Sequence, residues 1–261
     1  FGGCDGKVRA WQVAQGAAPG AVQDIGAHSL GVKSCLVMEP EAGWNVTGAM
    51  TGSWDKTVAL WDFRQPTGKA SGGWQNKGKV FSMDGVAPYV LVACSDRHMA
   101  LHDLRNPTQP VDCNSPYSPL HCQTRSACLF GGGGGQQPQG VAVGGVDGCL
   151  GVVLWSKPQA NNMPLQRSLQ VTNPSSAGGI QPLNSLSTIP GGTGAQIVAA
   201  GGDGRFSVWN VNPDGAGQGS FFGDGTPIFK SEDPSPQPAT NPALQSKIFP
   251  GISCAAWGVG A

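Results

Sequence analysis

The stretch Ser53-Trp54-Asp55-Lys56-Thr57-Val58-Ala59-Leu60-Trp61-Asp62 decides the fold of this 261-residue chain. Its opening residues read as a tight turn led by a carboxylate that takes hydrogen bonds from backbone amides, and its second half as a β-branched, apolar strand closed by an indole. Outward from it, the same order of small residues, turn Asp and apolar run recurs at Cys4 to Trp11, Ser95 to Asp103, Val146 to Val153 and Gly202 to Asn210. The turn aspartates Asp5, Asp55, Asp96, Asp147 and Asp203 lie 50, 41, 51 and 56 residues apart. Trp11, Trp61 and Trp209 each follow their Asp by six residues, and His102 and Val153 fill that slot in the other two copies.

Composition excludes the alternatives to an all-β chain. The 41 Gly and 21 Pro make about a quarter of the residues, a load that long helices do not carry. A repeat of roughly 40 to 45 residues is the period of a propeller blade, four short strands long. The expectation is a single propeller over 1–261, of which about five to six blades are covered, apparently truncated at both ends. The spacing excess is assigned to exposed Gly/Pro-rich loops at 131–140, 157–179 and 212–247. Inner strands are expected at Val32 to Met38, Val46 to Thr51, Val80 to Met83, Ser126 to Phe130, Leu183 to Ile189 and Ile252 to Trp257.

Charge and reactive residues narrow the function. Sixteen basic and sixteen acidic residues cancel, so the footprint of a protein that grips phosphates is missing. No apolar run reaches the roughly 18 to 20 residues of a bilayer span, and no membrane insertion is expected. Eight scattered cysteines without a C-x-x-C pair read as reduced thiols of the cytosol or nucleus, and His28, His98, His102 and His121 do not assemble a metal-ligand pattern. The run Gly131 to Gly135 lacks the Gly-Lys-Ser/Thr ending of a phosphate loop, as does Gly68-Lys69-Ala70. No metal, cofactor or catalytic group is therefore expected, and the chain reads as a non-enzyme.

Around the deciding stretch, His28 precedes a strand, Thr51 ends the next, and Asp55 and Trp61 follow. This set resembles the tetrad of WD repeats, which implies one buried hydrogen-bond network and a structural rather than catalytic role for His28, Thr51, Asp55 and Trp61. Met50 to Thr57, with Leu60-Trp61-Asp62 and Arg64, more specifically resembles the Rae/Gle messenger-RNA export family of nuclear-pore propellers. Gly2-Gly3-Cys4-Asp5, Ser118-Pro119-Leu120 with Gln123-Thr124-Arg125, Gly144 to Gly148, and Gly202 to Ser207 with Trp209 match in order. The Gly-rich inserts depart from that pattern, as does Asn210 where Asp is usual.

The resemblance implies a seven-bladed WD-repeat β-propeller in the nucleus, at the nuclear envelope pore complex and in the cytoplasm. It implies docking on a hairpin motif of a Phe-Gly nucleoporin, with RNA or ribonucleoprotein reached indirectly. A sister reading is the mitotic-checkpoint propeller of the Bub family; the Ser53 to Lys56 string and Ser118-Pro119-Leu120 favour the export branch. A third rests on Trp61-Asp62-Phe63-Arg64, the form seen in substrate receptors of cullin-type ubiquitin ligases, against the plainer reading of Arg64 as the cap of a strand end. Trp54 is expected on the loop face, either as a partner anchor or as a cover for the neighbouring blade. Arg64, Arg205 and Trp209 complete the partner-binding candidates.

Overall fold

The computed structural model describes residues 1–11, 22–38, 48–65, 68–107, 109–111, 117–132, 135–158, 164–172, 179–188, 195–211 and 226–230. The expected strand Ile252 to Trp257 and most of the 212–247 loop lie outside them. The chain divides into two compact units, Phe1–Tyr117 with Gly132–Pro138, and Ser118–Gly131 with Gln139–Ala261.

In the first unit, β1 (Lys7–Ala10) pairs with β2 (Gln23–Ala27). A four-stranded meander follows, of β3 (Val32–Met38), β4 (Gly48–Ser53), β5 (Thr57–Asp62) and β6 (Gly72–Gln75), then another of β7 (Val80–Val86), β8 (Tyr89–Cys94), β9 (Met99–Asp103) and β10 (Pro110–Val111). The second unit carries β11 (Thr124–Phe130) to β12 (Gly140–Gly145), β13 (Cys149–Pro158) and β14 (Pro164–Gln170), and β15 (Leu183–Thr188) to β16 (Ala195–Gly201), β17 (Phe206–Val211) and β18 (Phe229–Lys230). Each sheet is antiparallel with sequence neighbours paired. Such meanders are the blades of a WD-repeat β-propeller, and no helix of the described residues is long and apolar enough to cross a membrane.

Burial falls from the second strand of each blade to the fourth. Every residue of β4, β8 and β12 is buried, whereas β6, β10 and β18 are largely exposed. Strands covered on both faces read as unbroken small and apolar runs, and β6, β10 and β18 are only two to four residues long, which limits the edge they offer to foreign strands. Separate apolar clusters result: Met50, Val58, Val80, Val90 and Val92 in one, Val8, Ile25, Val32 and Trp61 in another, and Phe130, Leu150, Leu154, Ile197 and Trp209 in the second unit.

Two loop expectations are corrected. The span 157–179 contains β14, which pairs along β13 from Cys149↔Gln170 to Leu154↔Leu165. The span 212–247 contains β18, paired with Ser207 and Val208. Both are edge strands: β14 opens on Pro164 and is mostly polar, and β18 is only Phe229 and Lys230, so neither shows the alternation that marks a half-buried strand.

The turns explain the repeated Asp. Lys7, Thr57, Cys149 and Arg205 each donate a backbone N–H to the Oδ1 of the Asp two residues earlier, at 3.1, 2.9, 3.2 and 3.1 Å. The intervening residue is left-handed, Gly6 at φ 80°, Lys56 at 73°, Gly148 at 74° and Gly204 at 82°. Its N–H closes a four-residue turn onto Gly3, Ser53, Gly145 or Gly201, so a bulged three-residue hairpin recurs in four blades. Asp96 departs from it. There both Asp96 and Arg97 have positive φ, the two-residue turn with mirrored twist, and the Asp96 carboxylate caps no i+2 amide among the described residues.

The first strand of every complete blade carries an irregularity at the same place: between Val32 and Ser34, Val80 and Ser82, Thr124 and Ser126, and Leu183 and Ser185. In the β3–β6 and β11–β14 sheets the serine hydroxyl past the bulge reaches the next sheet of its own unit. Met83 N–H donates to Ser34 Oγ at 3.1 Å, and Ser126 Oγ donates to the Leu183 carbonyl at 2.9 Å. This repeated serine, third in its strand, ties one blade to the next within each unit.

Candidate functional site

His28 leaves β2, Thr51 points inward from β4, Asp55 leads the β4–β5 turn and Trp61 stands on β5. Their side chains are joined. Trp61 Nε1–H donates to Thr51 Oγ at 2.7 Å. Thr51 Oγ stands 2.7 Å from His28 Nε2, and His28 Nδ1 faces both Asp55 Oδ2 at 3.2 Å and Thr57 Oγ at 2.9 Å. Counting donors gives one direction: the indole donates to Thr51, Thr51 to His28 Nε2, and His28 Nδ1–H to the Asp55–Thr57 pair.

Two residues to which the sequence assigned no part in the tetrad complete the network. The Thr57 hydroxyl donates to Asp55 Oδ1 at 2.6 Å, and Ser29 N–H donates to Oδ2 at 3.0 Å. Burial pushes the Asp55 carboxyl up, but the hydrogen bonds from Thr57, from the Thr57 and Ser29 amides and the nearby His28 outweigh it, drawing it down to about 2. A carboxylate so saturated is held as an acceptor and has no proton to deliver near neutrality. The arrangement fastens a turn to two strands.

The other blades do without it. The register that pairs Thr51 with Ala59 pairs Val92 with Ala100, Val143 with Gly151 and Ala199 with Ser207, so the hydroxyl position is apolar there. The indole slot pairs with Ala49, Val90, Val141 and Ile197, and holds Trp61, His102, Val153 and Trp209 respectively. His102 stacks on Trp74 of the preceding blade with ring centroids 4.4 Å apart. Burial pushes the His102 imidazole down to about 4. Among the described residues no group of three or more His, Cys, Asp or Glu is placed to hold a metal.

The four partner candidates separate. Trp54 is 43% exposed, its ring leaning on Phe81 of the next blade at 6.4 Å. Trp209 is buried, its indole N–H donating to Ser207 Oγ at 2.8 Å. Its placement among partner-facing residues is corrected, because an indole slot packed between sheets has no surface left to offer. Arg64 makes two parallel bonds to Asp62, Nε to Oδ1 and Nη2 to Oδ2, both 2.9 Å, and this guanidinium holds the Asp62 carboxyl at about 2. Asp103 and Arg105 repeat the fork in the next blade, with Arg105 also reaching Tyr89 Oη at 3.1 Å. Arg205 is half-buried and lines a small cleft with Thr172, Asp203, Phe206 and Lys230.

No protein-family model matches the chain. Its similar relatives include the mRNA export factor rae-1 of Caenorhabditis elegans, 29% identical over 245 residues, which cover 90% of this chain and 58% of that protein. The Poly(A)+ RNA export protein of Schizosaccharomyces pombe is 32% identical over 194 residues, 73% of this chain and 50% of that protein. The mitotic checkpoint protein BUB3.1 of Arabidopsis thaliana is 30% identical over 193 residues, 72% of this chain and 52% of that protein. The chain thus resembles the Rae/Gle export factors, with Bub checkpoint proteins as a second set of relatives, and spans about half the length of those it matches.

Proposed function

From this likeness we propose that the chain is part of a non-enzymatic WD-repeat scaffold that acts in the export of messenger RNA. It works in the nucleus and at the pore complex, passing to the cytoplasmic side. Its direct partner is a hairpin-forming segment of a Phe-Gly nucleoporin, and ribonucleoprotein is engaged through that partner. The observation that carries the reading is the 29% identity to an mRNA export factor along 90% of the chain. It is supported by a polar network whose groups are consumed in holding a turn, which leaves the surface, and Trp54 on it, for recognition.

Depletion of the full-length protein in its own cells, followed by staining for polyadenylated RNA, tests the role. Nuclear accumulation that the wild-type gene reverses is expected; an unchanged distribution rejects it. Capture of the nucleoporin hairpin on the purified chain tests the partner.

The checkpoint reading is favoured by one observation, the 30% identity to BUB3.1 over 72% of the chain. A mitotic defect on depletion, with normal RNA distribution, selects it. The ligase-receptor reading through Trp61 to Arg64 has less surface to work with, since Trp61 is 3% exposed and Arg64 is clamped on Asp62. Capture of the ligase's propeller adaptor, lost in Arg64→Ala, would restore it.

A further inference from the structure

Two imidazoles of the β7–β10 sheet pack against aromatic rings instead of carboxylates. His102 on β9 is 5% exposed and lies on the ring of Trp74 from β6, with centroids 4.4 Å apart and planes 30° from parallel. His98, just before β9, meets the Tyr117 ring edge-on at 5.8 Å. The Nδ1 of each is buried with no hydrogen-bond partner among the described residues, as is Nε1 of Trp74. The other nitrogen of His102 bonds the backbone of Pro107, which has no N–H and so can only accept through its carbonyl. His102 is therefore the neutral tautomer, with its proton on Nε2 and a bare lone pair on Nδ1.

The groups around the two rings offer a further proton nothing. Burial, and then Lys77 on the link from β6 to β7, hold the His98 imidazole below its ordinary value. Burial brings His102 down to about 4 against the pull of the Pro107 carbonyl, and His98 adds to it. Of the acids in the same segments, Asp103 is forked by Arg105, and Asp96 is exposed in its turn beside Arg97. From β8 and β10, Val90 and Pro110 stand opposite His102. Among the described residues neither ring lies in an ion pair. His28 is built the other way, with both nitrogens engaged and a carboxylate oxygen at 3.2 Å.

We infer that the contact between His102 and Trp74 is an acid-opened joint: a proton taken up at Nδ1 of His102, with a second at His98, parts β9 and β10 from the β3–β6 sheet while β8 stays in place. A proton on the closed Nδ1 would be a buried donor facing no acceptor, whereas water accepts from it once the ring is free. The free imidazole titrates at about 6.5, so opening takes up protons from there downward. The closed state loses ground until pH reaches about 4, where His102 protonates in place. The movement stops at β9 because every residue of β8 is buried, while β10 is two residues long and exposed at Pro110.

Hydrogen exchange of the purified protein between about pH 7.5 and about pH 4.5, corrected for the intrinsic pH dependence of exchange and read by mass spectrometry, tests this. Opening of 99–111 should rise below about pH 6.5, by up to about tenfold per pH unit for each imidazole that takes a proton, with 89–94 unchanged. His102→Phe keeps a ring on Trp74 and should reduce the rise to what His98 alone supplies; adding His98→Phe should abolish it. His121→Gln in the second unit should leave it as in wild type. Imidazole NMR on the wild-type protein needs no variant to fold, and should find His102 neutral, with its proton on Nε2, down to about pH 5. A His102 signal that titrates near pH ~6.5 with the fold intact overturns the inference. So does a rise in 99–111 that His102→Phe leaves unchanged, and so does no rise at all.

Discussion

The indole N–H of Trp61 and the hydroxyl of Thr51 meet at 2.7 Å where both side chains are shut away from solvent. Neither group has water to fall back on, so the bond is worth more than its exposed counterpart when one partner is removed.

Thr51→Val keeps the volume and removes the hydroxyl. It leaves the Trp61 N–H and His28 Nε2 unpartnered, at roughly 1 to 3 kcal/mol for each buried group, whereas Thr51→Ser should cost less than about 1 kcal/mol. Urea unfolding of the two variants measures this. Equal midpoints for Thr51→Val and wild type would show that the network contributes nothing.

Acid should release the same network from its other end. The Asp55 carboxyl titrates at about 2 when folded, against about 3.9 in an unfolded chain. The folded state therefore gains from the ionised form, by on the order of 2 kcal/mol, fully above pH ~5, and loses that gain as pH falls toward 2. The stability difference between wild type and Asp55→Asn should be flat from neutrality to about pH 5 and shrink below it. A difference that persists at pH 2 contradicts the assignment.

A methyl group at Gly6 would meet the His28 carbonyl oxygen at 2.5 Å, on backbone already at φ 80°. Gly6→Ala should destabilise by more than about 1 kcal/mol. Lys56 occupies the same left-handed position in its own turn, so Lys56→Gly should be neutral or stabilising. Thermal melts of the pair check the contrast, and a destabilised Lys56→Gly would assign the lysine side chain a role in the turn.

The thiols should react in a fixed order. Burial pushes Cys94 up to about 11, and burial with the Asp147 carboxylate does the same for Cys149. Among the described cysteines, site-resolved mass spectrometry after brief alkylation at neutral pH should find exposed Cys4 modified first and Cys94 and Cys128 last. Asp147→Asn should speed Cys149 and Cys122, whose thiol the same carboxylate raises.

Much of the blade pattern is readable from residue order, because the turn Asp, the left-handed residue after it and the indole slot are local features with a local cause. Ser53 to Asp62 places its turn and strand correctly for that reason. Thr57 and Ser29 go unread because a β-branched residue opening a strand and a serine after a histidine look ordinary until the fold brings them to Asp55. The repeated serine at the third strand position, Ser34, Ser82, Ser126 and Ser185, is in the sequence, but its meaning depends on a bulge that only pairing reveals. Trp209 and Trp54 look alike as aromatics near a turn Asp, and differ because one lies six residues past its Asp on a strand and the other just before it.

Ser126 gives that repeat a test. Ser126→Ala removes the donor to the Leu183 carbonyl and should cost about 1 kcal/mol, the net worth of a buried neutral hydrogen bond. No change in the unfolding midpoint would reduce the tie to a coincidence of geometry.

Because the polar network occupies the β3–β6 sheet and the matching positions elsewhere hold Val92, Val143 and Ala199, the blades are not equally tolerant of error. A one-residue slip of β4 against β5 would bury a hydroxyl, an imidazole and an indole without mates, so wrong alignments are heavily penalised there. Strands such as Val90–Ala93 and Val141–Val143 present similar apolar faces in neighbouring alignments, and their turns must choose among them. Amide exchange should consequently find the β3–β6 sheet opening as one cooperative piece, while the apolar blades sample shifted pairings from which they return.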